Sequence, residues 1–595
     1  MIKVSDYIAK RLKEVYSVDR VFMVSGGGAM HLNNSFGKYI YYTCCHHEQA
    51  CAFAAEGYAR VNQKLAVVNV TTGPGGLNCL NGLFGEWTDS VPVLYISGQV
   101  KFLTSKASCK ELPLRQLGDQ EVDIISAVKD LTKYSIMVTE PNEIKYHLDR
   151  AIFEATTGRF GPVWLDIPMN VQSAMIDEDE LIGFEKPDSQ IYDFNLDLVI
   201  EKLKQSERPI IVVGHGVRLS GSINKLKELL DNLNIPVVTT FNGVDLVDDS
   251  CPNFVGRIGT IGQRAANFAI QNADFALFLG TRNNVRQISY NWENFAKKAY
   301  KVVVDIDRAE LDKPTLIPDL KIHSDLAQFM DAFVDAIKTL KPSLDKPCGD
   351  SENWLKWCQK RRENFAPEKT LDYKQTEKLI NPYYFTRVLT SKLSEKDVLV
   401  SANATPSICI FQNGIINSRR VIMNSGDASM GYALPCAVGA SYECAGNVVC
   451  FEGDGSIMMN LQELQTIKHN NLPVKIFVLN NSGYISIRQT QNNFFDGKLT
   501  GSDEVSGVTT PDFCAVAEAF GIKALRLSDA SKLEETIDKV LAVNTPILCE
   551  VITAKDYTFT PKLSSKVLDD GTMVSASLED MFPFLSAEEL NKNSL

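Results

Sequence analysis

The amino-acid sequence predicts an α/β protein of three doubly wound parallel-sheet domains, and three observations lead there. At 595 residues the chain is too long for one hydrophobic core, and about three or four domains are expected. Short runs of Val, Ile and Leu alternate with helical patterns from end to end: LAVVNV (65–70), VPVLYISG (91–98), PIIVVG (209–214), FALFLG (275–280), KVVVDID (301–307), VVCFEGD (448–454) and VKIFVLNN (474–481). Such runs, closed by Gly or Asp, suit parallel strands covered on both faces. The helix-length intervals between them make βαβ units. Two polar stretches break the rhythm, residues 172–208 and 341–376, and both read as interdomain linkers. They divide the chain into 1–175, 190–340 and 375–560, with a tail at 561–595. The first and third blocks each resemble a complete α/β layer of similar size, as a duplication would leave them.

The bulk numbers exclude several classes. Hydrophobic content of 45% and charged content of 23% are those of an ordinary globular protein. A net charge of -12 with no basic stripe argues against nucleic acid as a partner. No apolar run approaches the roughly eighteen residues of a membrane span. The fourteen cysteines are scattered without Cys-x-x-Cys spacing, and Cys409, Cys436, Cys444 and Cys450 sit in apolar surroundings. A reduced, cytoplasmic setting is expected. The start, MIKVSDYIAKRLKEVYSVDR, reads as an amphipathic helix rather than a signal peptide.

The strongest chemical signal is EGDGSIMMNLQELQTIKHNNLPVKIFVLNNSGY (452–484). One strand ends in Gly453-Asp454-Gly455, a helical stretch follows, and a second strand ends in Asn480-Asn481. A carboxylate and a carboxamide then lie at the carboxyl ends of neighbouring parallel strands, where α/β sheets bind ligands. The glycines let backbone approach a phosphate, and Ser456 with the following helix N-terminus can donate to it. Asp454, the Asn481 side-chain oxygen and a backbone carbonyl near Gly483 are hard oxygen ligands suited to Mg²⁺. A lone Gly-Asp-Gly would read as a turn; the strand-terminal Asn-Asn that follows at this spacing points to the ligand-binding reading.

With these residues the chain resembles the thiamine-diphosphate-dependent acetolactate synthase family (large catalytic subunit) to about residue 555. The resemblance implies a pyrimidine-binding domain at 1–175, an FAD- or nucleotide-binding-like domain at 190–340, and a diphosphate- and Mg²⁺-binding domain at 375–560. In CCHHEQACAFAAEGYAR (44–60), Glu48 matches the family glutamate that hydrogen-bonds the aminopyrimidine ring and promotes its imino tautomer. Alone it would read as a helix-start carboxylate. In TTGPGGLNCLNGLFGEWTDSVPVLYISGQV (71–100), Gly73-Pro74-Gly75 makes a tight turn for a flat pyrimidine, with Asn78 one helical turn on. Gly26, Thr405 and Tyr484 also fall at cofactor positions, and Met430 matches the apolar residue that keeps thiamine bent. Because Glu48 and Asp454 come from different blocks, the family builds each site between two subunits, which implies a homodimer or homotetramer.

The middle block resembles the family's nucleotide-binding domain, with Gly214, Gly216, Gly259, Arg282 and Asp305 at the positions that would meet FAD. FAD, ADP and no nucleotide all remain open, and a bound FAD would be structural. Substrate choice is where the sequence departs from the family. Gln120 and Glu121 match a Phe-Gln-Glu, but Asp119 stands where the Phe belongs. Lys133 fits the family lysine, and Thr490 replaces a Trp that shapes the acceptor pocket. Val24-Ser25 stands for Tyr-Pro, and Thr405 and Ser407 lie where a Gln-His pair is usual. A larger, more polar pocket follows, and with it a bulkier, hydroxylated acceptor such as a keto-sugar. Acetolactate synthase proper, a simple 2-keto acid decarboxylase or lyase, and a non-catalytic paralogue are the alternatives. For the tail, a lid over the site and a packed strap are both open.

Overall fold

The computed structural model describes residues 1–188, 190–344, 351–370, 379–567 and 573–595. Parts of the second expected linker (345–350 and 371–378) and of the tail (568–572) lie outside the described residues. Three six-stranded sheets carry the fold, and every strand pairing within them is parallel. The first comprises β1 (Arg20–Met23), β2 (Tyr41–Cys44), β3 (Ala66–Val70), β4 (Val93–Gln99), β5 (Tyr134–Met137) and β6 (Val163–Pro168), in spatial order β2-β1-β3-β4-β6-β5. The second comprises β7 (Pro209–Val213), β8 (Val237–Thr239), β9 (Phe254–Arg257), β10 (Phe275–Leu279), β11 (Tyr300–Asp305) and β12 (Leu320–His323), in order β9-β8-β7-β10-β11-β12. The third comprises β13 (Val398–Ser401), β14 (Arg420–Met423), β15 (Val448–Gly453), β16 (Val474–Asn480), β17 (Lys523–Leu527) and β18 (Ile547–Ile552), in order β14-β13-β15-β16-β18-β17. The first and third sheets thus share one strand order and the central sheet has another.

The apolar runs of the sequence are the middle strands. All residues of β3, β4 and β10 are buried, as expected where helices cover both faces. The edge strand β2 exposes Tyr41, Tyr42 and Cys44 and buries only Thr43, so it leaves no continuous apolar run to read. No helix among the described residues is long and apolar enough to cross a membrane.

The first and third layers pack directly on each other. Helix Glu48–Asn62 lies against helix Ala433–Ala440, and their apolar residues share one core. The approach is backbone on backbone. A Cβ added at Gly57 would lie 2.1 Å from the Cys436 carbonyl oxygen, and one at Gly439 would lie 1.8 Å from that of Ala54. The alanines of CAFAAEGYAR keep the rest of that face shallow. Within this contact Arg60 bridges Glu56 and Asp89, both at 2.7 Å, and the Tyr432 hydroxyl donates to Glu56 at 2.9 Å. Burial pushes the Glu56 carboxyl up to about 7.

The second expected linker contains a helix, Ser351–Asn364, that packs on the central domain: Trp354 is buried in its core and donates to the Pro209 carbonyl at 2.9 Å. The tail is a strap on the same domain. Arg264 donates to the Met581 carbonyl at 3.1 Å, Asn267 donates to that of Leu578 at 3.1 Å, and Leu578 joins the central core. A capping box at Ser586 and Glu589 starts its closing helix, Ala587–Lys592.

Gly57→Ala is expected to cost about 3 kcal/mol or more, because a backbone carbonyl cannot swing aside. Gly37→Ala, where a Cβ would meet only a Tyr42 ring atom at 3.6 Å, should be neutral or stabilising. Thermal unfolding of the two variants checks both, and equal melting temperatures would contradict the packing argument.

Candidate active site

Each sheet has a point where neighbouring strands send their connections in opposite directions, and there the two departing loops carry residues singled out in the sequence. In open α/β sheets this crevice is where ligands bind. In the third sheet it lies between β13 and β15, whose loops hold Thr405 and Gly453–Ser456. The Asp454 side chain is fixed by backbone alone. Its Oδ1 accepts the Gly455 N–H at 2.7 Å, and its Oδ2 accepts those of Asn481 and Gly483, each at 3.0 Å. Burial pushes its pKa up while these bonds pull it down. Gly483, at φ 131, needs glycine, since a Cβ would lie 2.4 Å from the Ser502 carbonyl oxygen. Tyr484 lays its ring on Gly455, where a Cβ would come within 2.1 Å of it. At Gly453 a Cβ would meet nothing within 4 Å, so open space faces the backbone there. Ser456 Oγ accepts the Gly431 N–H at 2.9 Å, which brings the half-buried Met430 to the same crevice. The donor atoms are all oxygen and the adjoining loop is open, so these residues fit Mg²⁺ and a diphosphate.

Arg488 is the organiser that sequence reading missed. Its guanidinium is buried and donates to Asn481 Oδ1 at 2.9 Å and to the carbonyls of Asn481, Ser482, Ser502 and Lys555 at 3.1–3.3 Å. The only signal available was its place seven residues after Asn481, on the first turn of helix Ile485–Phe494.

In the first sheet the crevice lies between β1 and β3. Gly26 and Gly28 follow β1, and Thr71 to Asn78 follow β3. The loops touch: Gly28 N–H donates to Thr71 Oγ1 at 3.0 Å, and a Cβ on Gly26 would overlap the Thr71 side chain at 2.5 Å. Gly73, at φ 64, backs onto Gln120, whose carbonyl oxygen would be 1.9 Å from a Cβ. Pro74 then opens a helical turn, and Asn78 at its end donates to Glu48 Oε2 at 2.9 Å. Glu48 begins its helix after His47, whose Nδ1 accepts the Gln49 N–H at 3.0 Å. Gly26, Glu48, Pro74, Asn78 and Gln120 therefore come together around Thr71 and Gly75.

The third domain reaches over to this cluster within the same chain. Buried Glu463 accepts the His46 N–H at 3.0 Å and the Thr466 hydroxyl at 2.6 Å. Asn460 donates to Gln49 Oε1 at 3.1 Å and to the Gly431 carbonyl at 2.8 Å. His46 and Gln49, on either side of Glu48, are thus tethered to the third domain, Gln49 through Asn460 to the loop that carries Met430.

The residues expected at the substrate pocket are scattered. Asp119 and Thr490 lie on the surface of the single chain, and the Thr490 hydroxyl donates to the Ser486 carbonyl at 3.1 Å. Lys133 differs from the expectation: its ammonium donates to the carbonyls of Glu154 and Thr157, at the end of helix Ile144–Thr156. A cation there satisfies orphan carbonyls and opposes the helix dipole. Glu121 is buried and accepts the N–H groups of Lys106 and Gly118, which folds the segment beside Gln120. Asp166 supports the same segment from β6. It accepts from Ser97 Oγ at 2.6 Å and from Gln99 Nε2 at 3.0 Å, and Gln99 also donates to the Val122 carbonyl at 3.1 Å.

The central sheet changes direction between β7 and β10, and there a cavity of about 450 Å³ opens, lined by Gly216, Gly259, Arg282 and Asp305 among others. Gly214 lies beside it, where a Cβ would be 2.4 Å from the Gly280 carbonyl oxygen. The Gly216 N–H donates to that carbonyl at 2.9 Å, so the two loops meet backbone to backbone. Burial raises the Asp305 carboxyl to about 6 although the Asp307 N–H donates to it at 2.9 Å.

Models of thiamine pyrophosphate enzymes match this chain in three successive parts: the N-terminal TPP binding domain over residues 2–127, the central domain over 196–333 and the C-terminal TPP binding domain over 409–551. This is the chain of a thiamine-diphosphate-dependent enzyme. It is 31% identical to the acetolactate synthase isozyme 2 large subunit of Escherichia coli (strain K12) over 543 residues, 90% of this chain and 92% of the relative. It is 29% identical to the acetolactate synthase large subunit of Lactococcus lactis over 574 residues, 95% of each. Acetolactate synthase 1 of Zea mays, a chloroplastic protein, matches at 30% over 587 residues, 95% of this chain and 87% of the relative. More particularly, the chain belongs to the acetolactate-synthase-like family of carboligases and decarboxylases.

Asp166 titrates far from its ordinary value, since burial lifts it from 3.8 to about 7 against the opposing bonds from Ser97 and Gln99. The folded state holds this proton more tightly than the unfolded chain, so its stability contribution is full below about pH 4 and is lost as pH rises to about 7. Asp166→Asn is expected to lose this slope, its melting temperature gaining on the parent between pH 4 and 7. Parallel curves would contradict the assignment.

Proposed function

We propose that the chain decarboxylates a 2-keto acid, pyruvate first, and joins the acyl unit to the carbonyl of an acceptor bulkier and more hydroxylated than pyruvate, such as an activated keto-sugar. Bound thiamine diphosphate supplies the electron sink for this chemistry. The observation that carries the reading is the pairing of Glu48 with Asn78 at the Gly73-Pro74 turn, beside His46 and Gln49, which bond to Glu463 and Asn460 of the third domain. Glu48 holds and moves a proton at the aminopyrimidine nitrogen. Gly26, Pro74 and Asn78 would seat that ring, and Met430 would pack against the cofactor. Gly453, Gly455, Ser456 and Thr405 hold the diphosphate, with Tyr484 closing over Gly455. Asp454, Asn481 and the Gly483 carbonyl would hold Mg²⁺, and the central cavity would hold FAD in a structural role.

Several features support this assignment. The relatives' names support pyruvate as donor. Asp119 and Thr490, in place of two aromatics, support a polar acceptor. Both are exposed on one chain, and Glu48 and Asp454 belong to different domains, which supports a homodimer or homotetramer whose sites are completed between subunits. A cytoplasmic, metabolic role accords with the acidic charge and with the free cysteines among the described residues. Acetolactate formation from pyruvate alone is the second reading, favoured by the relatives' names.

Purified protein with thiamine diphosphate, Mg²⁺ and pyruvate should release CO₂ faster when a keto-sugar is added. Exclusive acetolactate formation, unaffected by any sugar acceptor, would overturn the acceptor assignment. Glu48→Gln should lower turnover by about a hundredfold or more while cofactor affinity is kept; near-parental turnover would overturn its role.

A further inference from the structure

The segment that follows β18 lies beyond the C-terminal family match, which ends at residue 551. It folds back across the carboxyl end of the third sheet. Arg488 donates to the Lys555 carbonyl at 3.3 Å, and Gln489 Nε2 donates to that of Tyr557 at 2.7 Å. Phe559 is buried in a small cluster with Tyr383, Ile408, Cys409 and Ile485, and its ring meets Tyr557 edge-on at 5.5 Å. Backbone and ring contacts therefore fix where the Tyr557 phenol points.

It points at Thr405, with 2.5 Å between the two hydroxyl oxygens. Thr405 is the first residue of the nine-residue helix Thr405–Asn413, on the loop that leaves β13 at the direction change of the sheet. The neighbouring loop carries Asp454 and the open backbone of Gly453. Burial, and then the nearby Cys409 thiol and Asp454 carboxylate, push the phenol far above its ordinary range, so it stays a neutral donor. Hydrogen-bond accounting sharpens the point. Two hydroxyls bring two protons, and their mutual bond uses one. Among the described residues, no acceptor takes the second. An anionic oxygen at this helix N-terminus would accept it, in a place where first-turn N–H groups and the helix dipole already favour negative charge.

We propose that Tyr557 is a cofactor-holding residue, whose hydroxyl, together with that of Thr405, donates to the terminal phosphate of thiamine diphosphate. This inference rests on the cofactor reading given above. It also accounts for the residue at 405: a tyrosine brought in from the far end of the domain supplies a donor of the kind that the usual Gln-His pair would have supplied.

Isothermal titration of the apo-protein with thiamine diphosphate at saturating Mg²⁺ tests it, in the parent, Tyr557→Phe and Thr405→Val. Loss of one hydrogen bond to a charged acceptor is expected to weaken binding by about ten- to a hundredfold in Tyr557→Phe. The apo melting temperature should fall only slightly, by the one bond to Thr405, because the ring and its packing remain. The double variant should lose less than the product of the single losses, since both hydroxyls serve one phosphate. An unchanged dissociation constant in Tyr557→Phe overturns the proposal while the cofactor reading stands. Weakened binding with a matching drop in apo melting temperature makes Tyr557 a packing residue and overturns it too. Failure of the parent to bind would overturn the cofactor reading itself.

Discussion

Two helices with almost nothing between them hold the first and third layers together, and the rest of the site depends on that contact. Where the backbones of Glu48–Asn62 and Ala433–Ala440 touch at Gly57 and Gly439, no side chain can be inserted on either side. That approach fixes the angle and register of two sheets whose own strands never pair. It also buries Glu56, Arg60 and Asp89, an arrangement in which removing one partner strands a charge in the interior. With the helix seated, its first turn has one position, and the bonds from Asn460 to Gln49 and from the His46 N–H to Glu463 become geometrically available. Glu48 is thereby located by packing, and a flexible loop has no part in placing it.

A second constraint repeats three times. In each sheet a loop glycine at the crevice is pressed against a neighbouring loop until only glycine fits: Gly26 against Thr71 and Gly214 against Gly280 across the change of direction, and Gly455 against Tyr484 of the loop after the next strand, β16. Close approach leaves backbone N–H groups facing a narrow crevice with no side chain in the way. The chemistry then differs by what lines it: a carboxylate and carboxamide in the first sheet, oxygen donors in the third, and glycines with Arg282 and Asp305 in the centre.

These crevices were legible in the sequence because they are local. Gly453-Asp454-Gly455 and Gly73-Pro74-Gly75 each follow an apolar run that became a fully paired strand, so motif and strand announce one another. The edge strand β2 was not legible, since its exposed Tyr41, Tyr42 and Cys44 give no apolar run. Nor were Arg488, Glu463 and Asp166, whose partners are distant in sequence or are backbone carbonyls that no side-chain pattern records. Lys133 was singled out by its match to the family lysine, and that match carries no sign of the helix end its ammonium closes in the single chain. The segment at 351–364 read as linker because its charges hide Trp354, the residue that docks it.

The central cavity draws these threads together. Its walls include Thr88, Asp89 and Ser90 from the first layer, and Phe411 and Ser425 from the third, besides the central loops. Arg159 of the first layer crosses its rim to Asp307 and Glu310 of the central domain at 2.7 and 3.0 Å. Asp89 is also the residue that holds Arg60, on the same helix as Glu48. Any occupant of that cavity presses on a wall one ion pair removed from the helix carrying Glu48. A ligand bound there without reacting would stabilise the folded arrangement by mass action, more strongly the more tightly it binds. A nucleotide with no electrons to transfer would therefore still matter to a carboligase if it bound there, because this cavity is lined by all three layers.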